Sequence, residues 1–325
     1  MERRLGILTR TDRVGLGYQS RNLARMLKPS KILEVKHGED IPGFAQYEEF
    51  LKDIDVMLTA ETPYTYEAWN WAKLLGVKTF CQPNWELFDG LIQPNMPHPD
   101  QYLMPSYWKL EEMQKLFPET IYLPPPIITS DFDEVRQINL KRKGKRRFVH
   151  IVGNPAIYDR NGWSSIIDAL PFSKADFELV VFAQKEITGY ADLRVKYHIF
   201  DIEDQTELYR DFDALIMPRR YGGLCLPMNE ALIAGLPVIM TDISPNNKVL
   251  PKDWLVKSSL SATFEGRATI DVYSADSKEL ALKIDELCGL PDYKLRSMKQ
   301  RAYKIGHDNF SDKVLLFKYN QILGV

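Results

Sequence analysis

Met217-Pro-Arg-Arg-Tyr-Gly-Gly-Leu-Cys-Leu-Pro-Met-Asn-Glu-Ala-Leu-Ile-Ala-Gly-Leu-Pro-Val-Ile-Met240 is the stretch that decides the fold. Its pattern reads as strand, glycine turn, helix, turn and strand. Ala214 to Met217 is a short apolar run closed by Pro218, as a buried parallel strand ends at its carboxyl edge. Gly222 and Gly223 free the backbone for positive φ and for close approach of a ligand. Pro227 falls where a first helical turn tolerates proline, and Met228 to Ala234 continue helically. Gly235 supplies the stop, Pro237 follows, and Val238 to Met240 open the next strand. A helix that opens behind a glycine turn directs free N–H groups and its positive dipole end into that turn, and phosphate is the usual occupant. Arg219 and Arg220 stand beside it.

The 325 residues imply about two domains, each large enough to bury its own core. The share of hydrophobic residues, 45%, with 26% charged, is that of an ordinary globular protein and excludes disordered and fibrous classes. A net charge of −2 carries none of the global basicity of a nucleic-acid binder. Three cysteines, Cys81, Cys225 and Cys288, form no C-x-x-C pair and leave an odd count, which points to free thiols in a reducing compartment. The apolar run at Leu5 is too short for a signal peptide, and no stretch reaches the ~20 apolar residues of a membrane helix. A cytoplasmic location is the expectation. No H-E-x-x-H, paired-cysteine spacing or histidine cluster points to a metal, so neither a metal nor a cofactor is expected. G-x-S-x-G and P-loop motifs are absent as well.

The decisive stretch carries a resemblance. Pro218, Gly223, Leu226, Pro227, Glu230, Ala231, Gly235, Pro237 and Val238 fall without gaps on the donor-nucleotide motif of retaining GT-B glycosyltransferases of the large family four, the glycosyl transferases group 1. Pro218 to Gly223, with Asp242 to Asn247 behind it, looks more like phage-encoded members. The resemblance implies an α/β protein of GT-B fold, two Rossmann-like doubly wound domains facing each other across a cleft. Residues 1–145, joined by a C-terminal helix at 311–325, would form the acceptor-side domain, and residues 146–310 the nucleotide-sugar domain. Glu230 inherits the glutamate that holds the ribose hydroxyls. The family's first glutamate falls on Gly222, so its contact to the donor sugar is missing here.

A second segment extends the resemblance. Gly153-Asn154-Pro155 through Arg160-Asn161-Gly162, followed by Ile166 to Leu170, looks like the family's strand, phosphate loop and helix. Arg160 and Gly162 fit the Arg and Lys-Gly positions that hold the diphosphate, but Asn161 replaces the lysine, and Arg219 or Arg220 is expected to compensate. The backbone of Ile199 to Asp204, centred on Ile202, would meet the base. The implied catalytic set is Arg160, Arg219 and Glu230. The donor set adds Gly15, Gly17, Gly153, Asn154, Arg220, Tyr221, Gly222, Gly223, Leu224 and Cys225.

The first half is legible in outline. Leu5 to Leu8 reads as a strand and Tyr18 to Leu27 as a helix, with Gly15-Leu16-Gly17 between them. That loop fits a GT-B glycine loop, a dinucleotide fingerprint whose third glycine is replaced by Ser20, or a plain tight turn. Val56 to Thr59 and Lys78 to Cys81 read as buried strands. Ligand groups gather beyond the carboxyl ends of such strands, which makes Glu61, Asn84 and Glu86 acceptor candidates; ordinary exposed loop carboxylates are the plain alternative. Asp211-Phe212-Asp213 matches the metal motif of the other glycosyltransferase fold. The similar Asp53-Ile54-Asp55 before Val56 reads instead as a strand lead-in, and the same reading is expected for both.

Arg10 and Arg13 belong to the glycine loop, and Lys141 to Arg147 adds a second basic run. Such runs are solvated surface in most proteins. Acting together they would favour an anionic acceptor, with modified DNA as a candidate. The resemblance implies retaining transfer of a sugar from a nucleotide-sugar donor, UDP-sugar favoured, to an acceptor hydroxyl. Two alternatives stand beside it. One is a non-catalytic nucleotide- or glycan-binding module on the same scaffold. The other is an NAD-dependent oxidoreductase built on Gly15 and Gly17, which leaves the Glu230 motif unexplained.

Overall fold

A computed structural model describes residues 3–10, 15–35, 41–61, 64–87, 96–155 and 159–325. The chain divides into two compact units. One comprises Met1–Ile128, Glu265–Ala268 and Asp312–Val325; the other comprises Thr129–Phe264 and Thr269–Ser311.

The first unit runs β1 (Leu5–Thr9), α1 (Gly15–Leu27), β2 (Lys31–Glu34), α2 (Phe44–Leu51), β3 (Val56–Ala60), α3 (Glu67–Leu74), β4 (Lys78–Gln82), β5 (Gln101–Met104), α4 (Leu110–Leu116) and β6 (Ile121–Tyr122). The strands form one parallel sheet in the order β2-β1-β3-β4-β5-β6. Side chains alternate across a strand, and both faces here are apolar. Leu5, Ile7, Val56, Leu58 and Phe80 line one core, while Leu8, Met57, Cys81 and Tyr102 line the other with Tyr47, Phe50 and Trp69. That is why β1 and β3 read as unbroken apolar runs. The helix Asp312–Leu323 belongs to this unit and buries Leu315, Tyr319 and Leu323 on the first of those cores. The Tyr319 hydroxyl donates to Pro124 O at 3.0 Å and accepts from Gln82 Nε2 at 2.8 Å. Gln82 Oε1 in turn accepts from Gln19 at 2.7 Å, closing a buried polar chain across the sheet end.

The second unit opens with α5 (Asp133–Lys141), β7 (Arg146–Gly153), α6 (Trp163–Ala169), β8 (Phe177–Ala183), β9 (Val195–Ile199), β10 (Ala214–Ile216), α7 (Leu226–Ile233) and β11 (Val238–Thr241). It continues through α8 (Asn246–Val249), β12 (Leu255–Val256), a hairpin of β13 (Ser258–Glu265) and β14 (Thr269–Ala275), α9 (Ser277–Gly289) and α10 (Asp292–Phe310). Its parallel sheet has the order β12-β11-β10-β7-β8-β9, while β13 and β14 pair only with each other. The winding reverses between β7 and β10, and doubly wound sheets collect ligands beyond the carboxyl ends of strands at that switch point.

Residues 129–145, expected to close the first domain, group with the second unit. Asn139 is fully buried and explains this: its amide nitrogen donates to Tyr209 O and Ala234 O, each at 3.0 Å, and its oxygen accepts from Phe212 N at 3.1 Å. Asp213 leads β10 in as a buried carboxylate that accepts from Arg142 at 2.6 Å, Lys299 at 2.7 Å and Arg147 N at 3.0 Å. Both of its oxygens are thus occupied by protein donors.

α7 is buried on all sides, as a core helix is. α10 lies against it through Gly306, where a Cβ would come within 2.8 Å of Ile233 N and Leu232 C. Gly306→Ala should therefore force the two helices apart and cost about 1–3 kcal/mol of stability. A denaturant midpoint equal to that of the parent would show that this packing is looser than the backbone distances require.

Candidate functional site

The chain leaves β10 into the turn 218–225, and the buried side chain of Arg219 folds that turn. Its Nε donates to Tyr221 O at 3.0 Å, and Nη2 to Gly222 O at 3.2 Å and Leu224 O at 3.0 Å. Charge-assisted bonds to three carbonyls of one turn fix its shape. Gly223 takes φ +102°, a conformation that side chains rarely adopt, and α7 then opens behind Cys225 with Pro227 in its first turn.

The opposing loop comes from the end of β7. Gly153 has φ +67°, and Asp159 with Gly162 closes a tight turn ahead of α6. The Asp159 carboxylate caps that helix by accepting from Trp163 N at 3.0 Å and Ser164 N at 2.6 Å. Gly162 has φ +82°, and a Cβ there would sit 2.1 Å from Pro218 O. The two loops therefore meet backbone to backbone, and Arg220 N donates to Arg160 O at 2.9 Å. Arg160 reaches back across: its Nη2 donates to Gly222 O at 2.9 Å and its guanidinium lies 5.0 Å from the centre of the Tyr221 ring. Arg160 and Arg219 thus converge on one carbonyl.

Glu230, one turn into α7, is only 3% exposed. Its Oε2 accepts from the Tyr209 hydroxyl at 2.6 Å and from Gln205 Nε2 at 3.1 Å, and neither bond uses Oε1. Burial pushes the carboxyl up from 4.5 to about 7, against the pull of those two hydrogen bonds. The same burial, with Glu230 beside it, holds the Tyr209 hydroxyl well above its ordinary range.

The structure therefore brings Arg160, Arg219, Tyr221, Gly222 and Gly223 into one turn–loop pair at the switch point. Asn154 lies exposed just beyond β7, and Ile202 is half-buried in the loop after β9, three residues before Gln205. Asn161, in the expected lysine position, donates to Ile151 O at 3.0 Å and Val152 O at 3.1 Å, tying its loop to β7. Arg220 donates Nε to Tyr273 O at 3.1 Å, a bond to the hairpin. Gln205 and Tyr209, which the sequence reading did not select, hold the central carboxylate. Their spacing of one helical turn behind an acidic loop was the available signal.

In the first unit, Gly15 and Gly17 form the first turn of α1, and Arg10 follows β1. Arg13 lies outside the described residues. Glu61, at φ +72°, and Asn84 meet beyond β3 and β4, with Asn84 Nδ2 donating to Glu61 Oε1 at 3.2 Å. Glu86 follows in the short turn Trp85–Leu87. The basic run 141–147 is largely neutralised within the second unit. Arg142 pairs with Asp213 and Asp211, Lys145 with Asp176, Arg146 with Asp292, and Arg147 with Glu178 and Asp211. Four of the six basic residues of the run are thus held by carboxylates of their own unit, which weakens one of the two supports for an anionic acceptor.

Two doubly wound parallel units, with a glycine turn and a buried carboxylate at the switch point of the second, define a doubly wound α/β protein. The comparisons sharpen that class. Residues 146–288 match the family model described as "Glycosyl transferases group 1". HepE of Anabaena, solved in complex with UDP and glucose, superposes with a TM-score of 0.68 at 12% identity over 99% of each chain. Sucrose-phosphate synthase from Thermosynechococcus elongatus gives a TM-score of 0.68 at 11% identity over 98% of each chain. A glycosyltransferase from Rickettsia africae gives 0.67 at 12% identity, over 99% of this chain and 98% of its own. The fold is GT-B. A search of curated proteins finds no match to the sequence.

The raised carboxyl of Glu230 has a stability signature. Its protonated form suits the native state, so its contribution is complete below about pH 4.5 and is lost as pH rises through about 7. Against Glu230→Gln, neutral throughout, the parent should lose up to about 3 kcal/mol of stability across that interval. Urea melts of both proteins in steps between about pH 5 and 8 measure it, and a constant difference would mean that Glu230 titrates normally.

Proposed function

We propose that the protein is a retaining glycosyltransferase that takes a UDP-sugar and transfers its sugar to an acceptor hydroxyl. The observation that carries this reading is the Glu230 carboxylate, buried on the helix that opens behind the glycine turn at the switch point. Two protein donors fix its Oε2, which leaves Oε1 to accept from the ribose hydroxyls. UDP is favoured because HepE, the similar structure, was solved with UDP.

The diphosphate then lies at the amides of Gly222 to Leu224 and the positive end of α7, with Arg160 beside it. As the bond from the anomeric carbon to the phosphate oxygen breaks, charge grows on the leaving diphosphate, and these groups stabilise it. The acceptor oxygen bonds to the anomeric carbon on the face the diphosphate leaves, and its proton passes to a leaving phosphate oxygen. Configuration is retained and no protein nucleophile is required. No step is routed through a metal. Among the described residues, no helix is long and apolar enough to cross a membrane. The acceptor side rests on Glu61, Asn84 and Glu86, with Arg10 and Arg13 keeping an anionic acceptor such as modified DNA as the case to test by salt dependence.

Calorimetry with UDP, GDP and ADP tests the donor. Glu230→Ala should weaken UDP binding by about 1.5–3 kcal/mol, the worth of hydrogen bonds to a charged group. Unchanged affinity in a folded variant would remove Glu230 from the donor site. UDP binding by the parent without turnover of any UDP-sugar would favour the non-catalytic module.

Arg160→Ala should lower kcat more than it raises the donor KM, because the charge it meets develops mainly in the transition state. Steady-state kinetics that leave kcat at the parent value would confine Arg160 to shaping the turn.

A further inference from the structure

The hairpin β13–β14 is hydrogen-bonded to neither six-stranded sheet. Much of β13 is exposed, including Leu260 and Thr263, while Ile270, Val272 and Ala275 on β14 are buried. Two strands alone are marginal in water, so such a hairpin takes its order from what grips it. Here the grip is the turn described above. Arg220 O accepts from Tyr273 N at 2.7 Å, and Arg220 Nε donates back to Tyr273 O at 3.1 Å. The same guanidinium reaches Ser274 Oγ at 3.4 Å on β14 and Ser261 Oγ at 3.3 Å on β13, so it spans both strands. One residue on, Tyr221 meets Phe264 edge to face, with ring centres 5.7 Å apart and planes at 77°. Arg160 lies over that same Tyr221 ring and bonds Gly222 O. A continuous line of contact therefore runs from Phe264 through Tyr221 and Arg160 to the glycine turn.

We infer that the β13–β14 hairpin is a positioning element for the donor site, with Arg220 and Phe264 as the residues that transmit its geometry to the turn 221–225. The inference rests on the reading that this turn meets the donor diphosphate. Neither residue is placed on substrate; each acts through Tyr221, Arg160 and the backbone. A planar fork suits Arg220, because a single point donor cannot hold a carbonyl and two hydroxyls on different strands. The Phe264 ring is required for its edge contact, since aromatic geometry and not only apolar volume orients Tyr221.

Two readouts test this. The first, hydrogen exchange of the amides of residues 221–225 without ligand, does not depend on the proposed function. Arg220→Ala and Phe264→Ala should speed exchange there and weaken calorimetric UDP binding about two- to tenfold, the range of a lost aromatic contact. Arg220→Lys should behave like Arg220→Ala, whereas Phe264→Tyr should stay with the parent. Thr263→Ala, which removes only the cross-strand bond to Asp271 at 3.1 Å, should change neither readout. Phe264→Leu, which keeps apolar bulk, stands in should Phe264→Ala fail to fold. Parental exchange in folded Arg220→Ala and Phe264→Leu would overturn the coupling. Faster exchange with parental UDP affinity would overturn the positioning role alone. A parent that binds neither UDP, GDP nor ADP, yet shows the exchange effect, would overturn the donor reading while the coupling stands.

Discussion

The second unit depends on one close approach. Where Gly162 faces the carbonyl of Pro218 there is no room for a Cβ, and the gap is set by backbone on both sides. Only this contact lets the loop after β7 and the turn after β10 share the Arg220 N to Arg160 O hydrogen bond. That bond places the Arg160 side chain within reach of Gly222. A side chain at residue 162 would separate the loops before any ligand arrived, and its positive φ would add strain. The position matches a glycine of the phosphate-loop motif that this segment resembles, and the geometry gives the reason.

The three arginines at this junction divide their labour by what they touch. Arg219 is buried among carbonyls of its own turn, Arg220 binds the hairpin, and Arg160 bridges the two loops. These hydrogen bonds fix where each guanidinium points. The same junction holds a carboxyl whose burial raises it toward neutrality. Positive charge gathered at a helix start, with a carboxyl set further along that helix, is a polarity suited to a ligand with phosphate at one end and hydroxyls at the other.

Most of this was legible in the sequence because parallel strands buried on both faces write themselves as apolar runs. The strands expected at Leu5–Leu8, Val56–Thr59, Lys78–Cys81 and Val238–Met240 each run one residue longer, and the C-terminal helix expected at 311–325 spans Asp312–Leu323. The glycine turn and Glu230 were legible because positive φ and a buried carboxylate restrict residue choice. The hairpin was not. Ser258 to Glu265 is polar and largely exposed, and its order comes from tertiary contacts with Arg220 and Tyr221 that no local pattern encodes. Gln205 and Tyr209 were missed for a related reason: their partner lies 25 and 21 residues downstream. The basic run 141–147 was legible as charge, but its carboxylate partners are scattered from Asp176 to Asp292. Residues 129–145 group with the second unit through tertiary bonds, those of Asn139 and Arg142 among them, that no local pattern encodes.

The helix Asp312–Leu323 completes the core of the first unit through Leu315, Tyr319 and Leu323. Seen along the time axis of translation, this inverts the usual order of maturation, in which the amino-terminal domain folds first. The second unit has all of its residues once Ser311 has been made. The first, begun earlier, waits on the ribosome with Gln82 lacking its Tyr319 partner until those last turns emerge. Synthesis to Ser311 therefore supplies every residue of the second unit while the core of the first still lacks Leu315, Tyr319 and Leu323.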